Sequence, residues 1–125
     1  MCIRDRINKL SLYGLVVSVL SIIAGAIVRA TGSGDGCGAS WPTCNGEIIP
    51  ELNTPSELIE FSHRSVSGVL LIITLIIFVK SFKDEVPTLQ KKIIWSLTFF
   101  VSLEALIGAV TVSYTHLTLP TILLV

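Results

Sequence analysis

The chain has 125 residues, of which 51% are hydrophobic and 14% charged, and its formal net charge at pH 7 is zero. A soluble domain of this size needs more polar surface than this composition supplies. The lack of net positive charge argues against nucleic acid as a partner. The composition therefore predicts a membrane protein.

Three apolar segments follow one another along the chain, at residues 10–28, 65–79 and 93–112. The first and third have the length that crosses a hydrocarbon core as a helix. The third contains a single carboxylate, Glu104, which faces either the interior of a bundle or the outer interface. The second is short, so its helix must begin earlier.

An early start for the second helix is predicted by the string Thr54-Pro55-Ser56-Glu57. This string is typical of a capping box with proline at the first helical position. We therefore predict an all-α fold, a polytopic transmembrane helix bundle in one membrane domain. The predicted helices cover about 10–29, 56–81 and 93–112, with an outer loop at 30–55.

Lysine and arginine are distributed unevenly around the three segments. Residues 30–62 contain none, whereas these side chains precede the first segment and surround the connection between the second and third. Cytoplasmic loops of membrane proteins carry the excess of positive charge. We therefore predict a cytoplasmic N-terminus and an extracytoplasmic loop 30–55 in a bacterial plasma membrane, with the lipid bilayer as solvent.

Two cysteines, Cys37 and Cys44, lie in that loop in the string CGASWPTC. An oxidising compartment favours a disulfide, and the surrounding glycines and Pro42 allow the turns that it needs. Metal binding is a weaker alternative because the spacing does not match a zinc site. Two free thiols are expected if the chain meets no oxidant.

The segment Glu60-Phe-Ser-His63-Arg64 places three ionisable side chains at the mouth of the second helix. Ionisable groups at membrane depth are costly and usually mark a functional site. Glu60 and His63 share one side of a helix, where a histidine can ligate heme iron and a carboxylate can transfer protons. The alternatives are an interfacial hydrogen-bonding histidine and a weak surface ion pair of Glu60 with Arg64.

The strings GAIVRATGSGDGCGASWPTCNGEIIP, LIEFSHRSVSGV and EALIGAVTV resemble the first half of the bacterial heme A synthase family, over roughly residues 10–112. Members have eight transmembrane helices in two similar four-helix bundles, each with a histidine pair for heme. The resemblance implies a resident heme b and heme O as the substrate, whose C8 methyl is oxidised to a formyl group. It also implies heme O synthase and the cytochrome oxidase assembly machinery as partners.

The resemblance implies roles for individual residues. His63 matches an axial heme ligand, Glu60 matches the carboxylate implicated in catalysis, and Cys37 and Cys44 match a cysteine pair of the loop. Two arginines are candidates for binding heme propionates or for snorkelling to lipid head groups: Arg29 and Arg64.

The chain departs from the family pattern because it contains three full helices of a four-helix half-bundle. The partner histidine is expected on a fourth helix, and His116 follows the third helix too closely to serve. Pro120 is expected to break any helix that begins there. Residues 1–6 and 113–125 resemble translated adapter sequence and are interpreted as foreign ends. We therefore expect a fragment that is inactive by itself.

Two other functions fit the sequence less well. A b-type heme protein that only transfers electrons needs the histidine but no neighbouring carboxylate. A membrane scaffold without heme needs neither.

Overall fold

The computed structural model describes residues 3–51, 53–83 and 85–122, with side chains described between Ile7 and Tyr114 outside the two gaps. It contains three helices: α1 (Ile3–Thr31), α2 (Pro55–Lys83) and α3 (Thr88–Ile122). Each holds a segment long and apolar enough to cross a membrane: Ile7–Thr31, Pro55–Lys83 and Thr88–Tyr114. The predicted all-α fold with three membrane-crossing helices is confirmed.

The central helix is α2, which packs against both α1 and α3, while α1 and α3 make no contact with each other within the described ranges. Large apolar side chains such as Leu12, Ile22 and Leu106 are exposed along all three helices. Lipid tails are as apolar as these side chains, so this surface is expected of a protein that is solvated by a bilayer.

Small and polar residues join α1 to α2. The hydroxyl oxygens of Ser21 and Ser67 lie 2.8 Å apart. A Cβ at Gly14 would lie 3.5 Å from the side chain of Ile73, so glycine allows the two helices to approach closely. Van der Waals packing at close approach and interhelical hydrogen bonds drive the association of helices in membranes.

An aromatic cluster joins α2 to α3 at the end of the bundle away from residues 32–54. The ring centroids of Phe78 and Phe82 lie 5.9 and 5.4 Å from that of Trp95. Because aromatic rings prefer particular relative orientations, these tilted pairs favour one arrangement of α2 against α3.

The capping box at the start of α2 is confirmed. The backbone N–H of Glu57 donates to the hydroxyl of Thr54 at 3.3 Å, and the Glu57 carboxylate accepts from the Thr54 N–H at 3.0 Å. Helix α2 begins at Pro55, which has no N–H that would need a partner there.

The end of α3 differs from the sequence prediction. The helix continues to Ile122 through Pro120, where a break was expected. Proline removes one backbone hydrogen bond and crowds the carbonyl four residues earlier, yet the backbone stays helical through this position. The backbone of His116 lies in α3, while its side chain is outside the described set. The interpretation of the two ends as foreign sequence stays a prediction, and it falls partly on residues outside the described ranges.

Candidate functional site

The disulfide loop, defined here as residues 32–54, is closed by a bond between Cys37 and Cys44, with an S–S distance of 2.00 Å. Both cysteines are completely buried. Cys44 and Glu47 exchange two backbone hydrogen bonds of 3.0 Å around a tight turn. Asn45 and Gly46 adopt positive φ angles of 53° and 88° in that turn, which asparagine and glycine tolerate best. The loop therefore has its own compact structure.

Gly36 brings the disulfide loop into direct contact with the start of α2. A Cβ at this position would lie 2.6 Å from the carbonyl atoms of Ser56 and 2.8 Å from the backbone nitrogen of Glu57. Backbone atoms of a helix cannot move aside cheaply, so only glycine fits here. This contact fixes the height of the loop above α2.

Glu57 connects the loop to the helix a second time. Besides its role in the cap, its carboxylate accepts from the backbone N–H of Asn53 at 2.9 Å and from the side-chain amide of Asn45 at 3.2 Å. One carboxylate thus satisfies donors from the loop turn and from the residues that precede α2.

The carboxylate of Glu60 is almost completely buried between the loop and α2. One oxygen accepts from the backbone N–H of Cys37 at 2.7 Å, and the other lies 2.5 Å from a guanidinium nitrogen of Arg64. The two side chains are 4% and 11% exposed. A buried ion pair is tolerated only when further hydrogen bonds satisfy both partners. The weak surface pair considered from sequence therefore does not describe this contact.

Those further hydrogen bonds come from the loop. The Arg64 guanidinium donates to the backbone carbonyls of Ser40 at 2.6 Å and Thr43 at 2.7 Å, with a longer contact to that of Gly38 at 3.5 Å. Arginine suits this site because its planar fork presents several donors at once. Arg64 and Glu60 together hold the disulfide loop on α2.

His63 lies on α2 one turn beyond Glu60 and contacts α1 at Gly25. A Cβ at Gly25 would lie 3.1 Å from Cε1 and 3.5 Å from Nε2 of the imidazole. The side chain is half-buried, and its Nδ1 is buried without a hydrogen-bond partner among the described residues. A buried polar atom without a partner requires a specific explanation. This nitrogen therefore makes no hydrogen bond within the part of the chain that the structure describes.

The structure brings four of the predicted site residues together: Glu60, Arg64, Cys37 and Cys44 form one connected unit, with His63 on the next turn of α2. Arg29 lies at the end of α1 and is exposed. Glu104 is also exposed on α3 and takes part in none of these contacts. Within the described ranges no group of three or more His, Cys, Asp or Glu side chains could hold a metal ion.

Two contributions to the site were not predicted from the sequence. Gly25 and Gly36 act through close approach to residues distant in the chain. From the sequence, the glycines around Gly36 were interpreted only as allowing tight turns.

Comparison with known proteins shows what the chain is similar to. Residues 8–57 match the family described as cytochrome oxidase assembly protein. The chain is 44% identical over 95 residues to heme A synthase of Lysinibacillus sphaericus and 40% identical over 111 residues to heme A synthase of Bacillus pumilus. Over most of its own length the chain is therefore similar to heme A synthases.

The match covers only part of these heme A synthase relatives. It takes in 75% and 86% of this chain but 31% and 36% of the two relatives, so the chain spans about a third of their length. A protoheme IX farnesyltransferase of Thermus thermophilus is 44% identical over 96 residues, which are 76% of this chain and 16% of that protein. No solved structure gives a significant match.

Proposed function

We propose that this chain is part of a heme A synthase, an oxidoreductase that converts the C8 methyl of heme O to a formyl group during heme A biosynthesis for cytochrome oxidase. The proposal is supported by the relatives named heme A synthase. The structural observation that carries it is the His63 imidazole, which lies against Gly25 with a buried and unpartnered Nδ1.

The residues around His63 fit a heme. A neutral imidazole is a common axial ligand of heme iron. The nitrogen that binds the iron must have no hydrogen-bond partner in the protein. Gly25 leaves room for the imidazole ring itself, whose Cε1 lies 3.1 Å from the position of a Cβ there. We propose His63 as one axial ligand of heme O, and heme b as a resident cofactor of the full-length protein. When bound, heme supplies the redox chemistry of its iron, and the protein supplies binding and orientation.

We propose Glu60 as the proton acceptor of the reaction. Oxidation of a methyl group removes protons together with electrons, and Glu60 lies one helical turn from His63 on the same side of α2. Its oxygens are held by Arg64 and by the N–H of Cys37. Because Arg64 also donates to loop carbonyls, the guanidinium remains partnered if Glu60 gains a proton.

The two arginines differ as candidates for propionate binding. Arg29 is exposed at the same end of the bundle as His63, where a flexible cation can reach a carboxylate. The donors of Arg64 are directed to Glu60 and to the loop. We therefore propose Arg29 as the direct propionate ligand and Arg64 as a weaker second candidate.

We further propose that the protein lies in the bacterial plasma membrane with its N-terminus in the cytoplasm and the disulfide loop outside. The distribution of lysine and arginine supports this orientation. The disulfide fits an oxidising compartment. Heme O synthase and cytochrome oxidase assembly factors are the partners that this function requires.

The test uses the full-length protein with added heme O. Optical titration measures heme binding and chromatography measures heme A. We expect His63→Ala to weaken heme O binding and Glu60→Gln to keep binding but abolish heme A formation. Unchanged heme spectra in His63→Ala would overturn the proposal. Binding of heme without any heme A from the unmodified protein would favour a b-type electron-transfer protein.

A further inference from the structure

Four lysines surround the connection between α2 and α3: Lys80, Lys83, Lys91 and Lys92. The apolar segment 65–79 ends directly before the first of them, and the segment 93–112 begins directly after the last. The ammonium groups therefore lie where the apolar interior of a bilayer meets its phosphate groups. Residues 80–92 contain two carboxylates, at positions 84 and 85, so the four lysines leave an excess of two positive charges.

The antiparallel pair of α2 and α3 gathers three of these lysines beside one aromatic contact. The ring centroids of Phe82 and Trp95 lie 5.4 Å apart. Lys83 follows Phe82, one residue closer to the connection. Lys91 and Lys92 precede Trp95 by four and three residues, so they lie one turn closer to the connection on the two flanks of the indole. We call these five residues the lysine–aromatic site.

The lysine–aromatic site is open to its surroundings. Phe82 and Trp95 are 58% and 51% exposed, and the side chains of Lys83 and Lys92 are exposed as well. Among the residues that the structure describes, none of the lysines takes part in an ion pair. Exposed rings beside ammonium groups at the edge of an apolar segment are typical of contacts with lipid head groups, where lysine stems lie along apolar surface.

We propose that the lysine–aromatic site binds the phosphate of an anionic phospholipid in the leaflet at this end of the bundle. The ammonium groups attract the phosphate, and the two rings contact the upper part of the acyl chains. A zwitterionic lipid carries its own cation beside the phosphate, so the site selects head groups with a net negative charge. This binding requires no heme and is the same for either orientation of the protein in the membrane.

The test measures quenching of Trp95 fluorescence by lipids with brominated acyl chains, with the full-length protein in phosphatidylcholine vesicles. The Trp95 signal is the difference between the unmodified protein and Trp95→Phe. We expect brominated phosphatidylglycerol to bind at least about fivefold more tightly than brominated phosphatidylcholine, because each lysine near an anionic head group contributes about a factor of five.

Two single substitutions separate the site from the general charge of this end of the bundle. Lys92→Gln is expected to lower the preference for phosphatidylglycerol about threefold or more, whereas Lys92→Arg keeps the charge and the preference. Lys9→Gln is the matched control, because Lys9 is an exposed lysine of α1, which makes no contact with α3 within the described ranges. Gly14 of α1 lies opposite Ile73 of α2, which places Lys9 near the same end.

Three results would overturn the proposal. Equal quenching of Trp95 by the two brominated lipids in the unmodified protein would show that the site does not select charge. Equal loss of the preference in Lys92→Gln and Lys9→Gln would show that the net charge of this end attracts the lipid without a defined site. The absence of quenching by either lipid would show that another part of the protein covers Trp95. Circular dichroism confirms that the helices of each variant remain formed.

Discussion

The buried pair of Glu60 and Arg64 is expected to determine how firmly the disulfide loop is held on α2. The pair is 4% and 11% exposed, and Arg64 also donates to the carbonyls of Ser40 and Thr43. Arg64→Ala removes these bonds together. The Glu60 carboxylate is then left buried with the N–H of Cys37 as its remaining partner from this set.

The size of the effect follows from the burial of the pair. Removing one partner of a buried ion pair costs about 3–5 kcal/mol, because an uncompensated charge stays in a low dielectric. Opening of the loop returns that charge to water and so relieves the cost. Since 1.4 kcal/mol corresponds to a factor of ten, the open fraction of the loop should rise by at least about 100-fold.

The assay is the rate at which a hydrophilic thiol reduces the bond between Cys37 and Cys44 in the folded full-length protein. Both cysteines are completely buried, so reduction requires the loop to open. When closing is fast relative to reduction, the rate follows the open fraction. Arg29→Ala is the matched control, because Arg29 is an exposed arginine at the same end of the bundle.

A rate for Arg64→Ala within about threefold of the unmodified protein would refute the reasoning, since a difference that small corresponds to less than 1 kcal/mol. Circular dichroism of each variant shows whether the helices remain formed, so that opening of the loop is distinguished from loss of the fold.

Two glycine substitutions test the remaining close contacts. Gly25→Val is expected to weaken heme O binding about tenfold or more by displacing the His63 imidazole, which a Cβ would approach to 3.1 Å. Gly68→Val is the control in the same optical titration, because a Cβ at Gly68 meets nothing within 4 Å. Equal binding of heme O by both variants would contradict the contact between Gly25 and His63. Gly36→Ala is expected to destabilise the closed loop by about 1–3 kcal/mol because its Cβ would lie 2.6 Å from the backbone of α2. Faster disulfide reduction than in Gly34→Ala measures this, and equal rates would count against it.

The order of the helices and the start of α2 could be predicted because their causes are local. Hydropathy over one segment is enough to identify a membrane-crossing helix, and the exchange between Thr54 and Glu57 spans one turn. Helix α3 extends to Ile122, beyond the end predicted near residue 112 and past the break expected at Pro120.

The spacing of Glu60, His63 and Arg64 also placed them on one side of a helix from sequence alone. What each side chain contacts depended on residues far away in the chain. Arg64 donates to carbonyls 21 and 24 residues earlier, and those carbonyls are positioned only after the loop has folded around its disulfide. Backbone carbonyls are present at every residue, so no sequence pattern distinguishes the two that bind the arginine.

The sequence by itself thus determined which segments enter the membrane and which polar groups lie at the mouth of α2, because hydropathy and helical spacing are properties of neighbouring residues. Only the tertiary structure decided that Glu60 and Arg64 secure a loop, that Gly25 faces His63, and that Phe82 contacts Trp95. These features arise from packing between helices, where the contacting atoms belong to residues far apart in the chain.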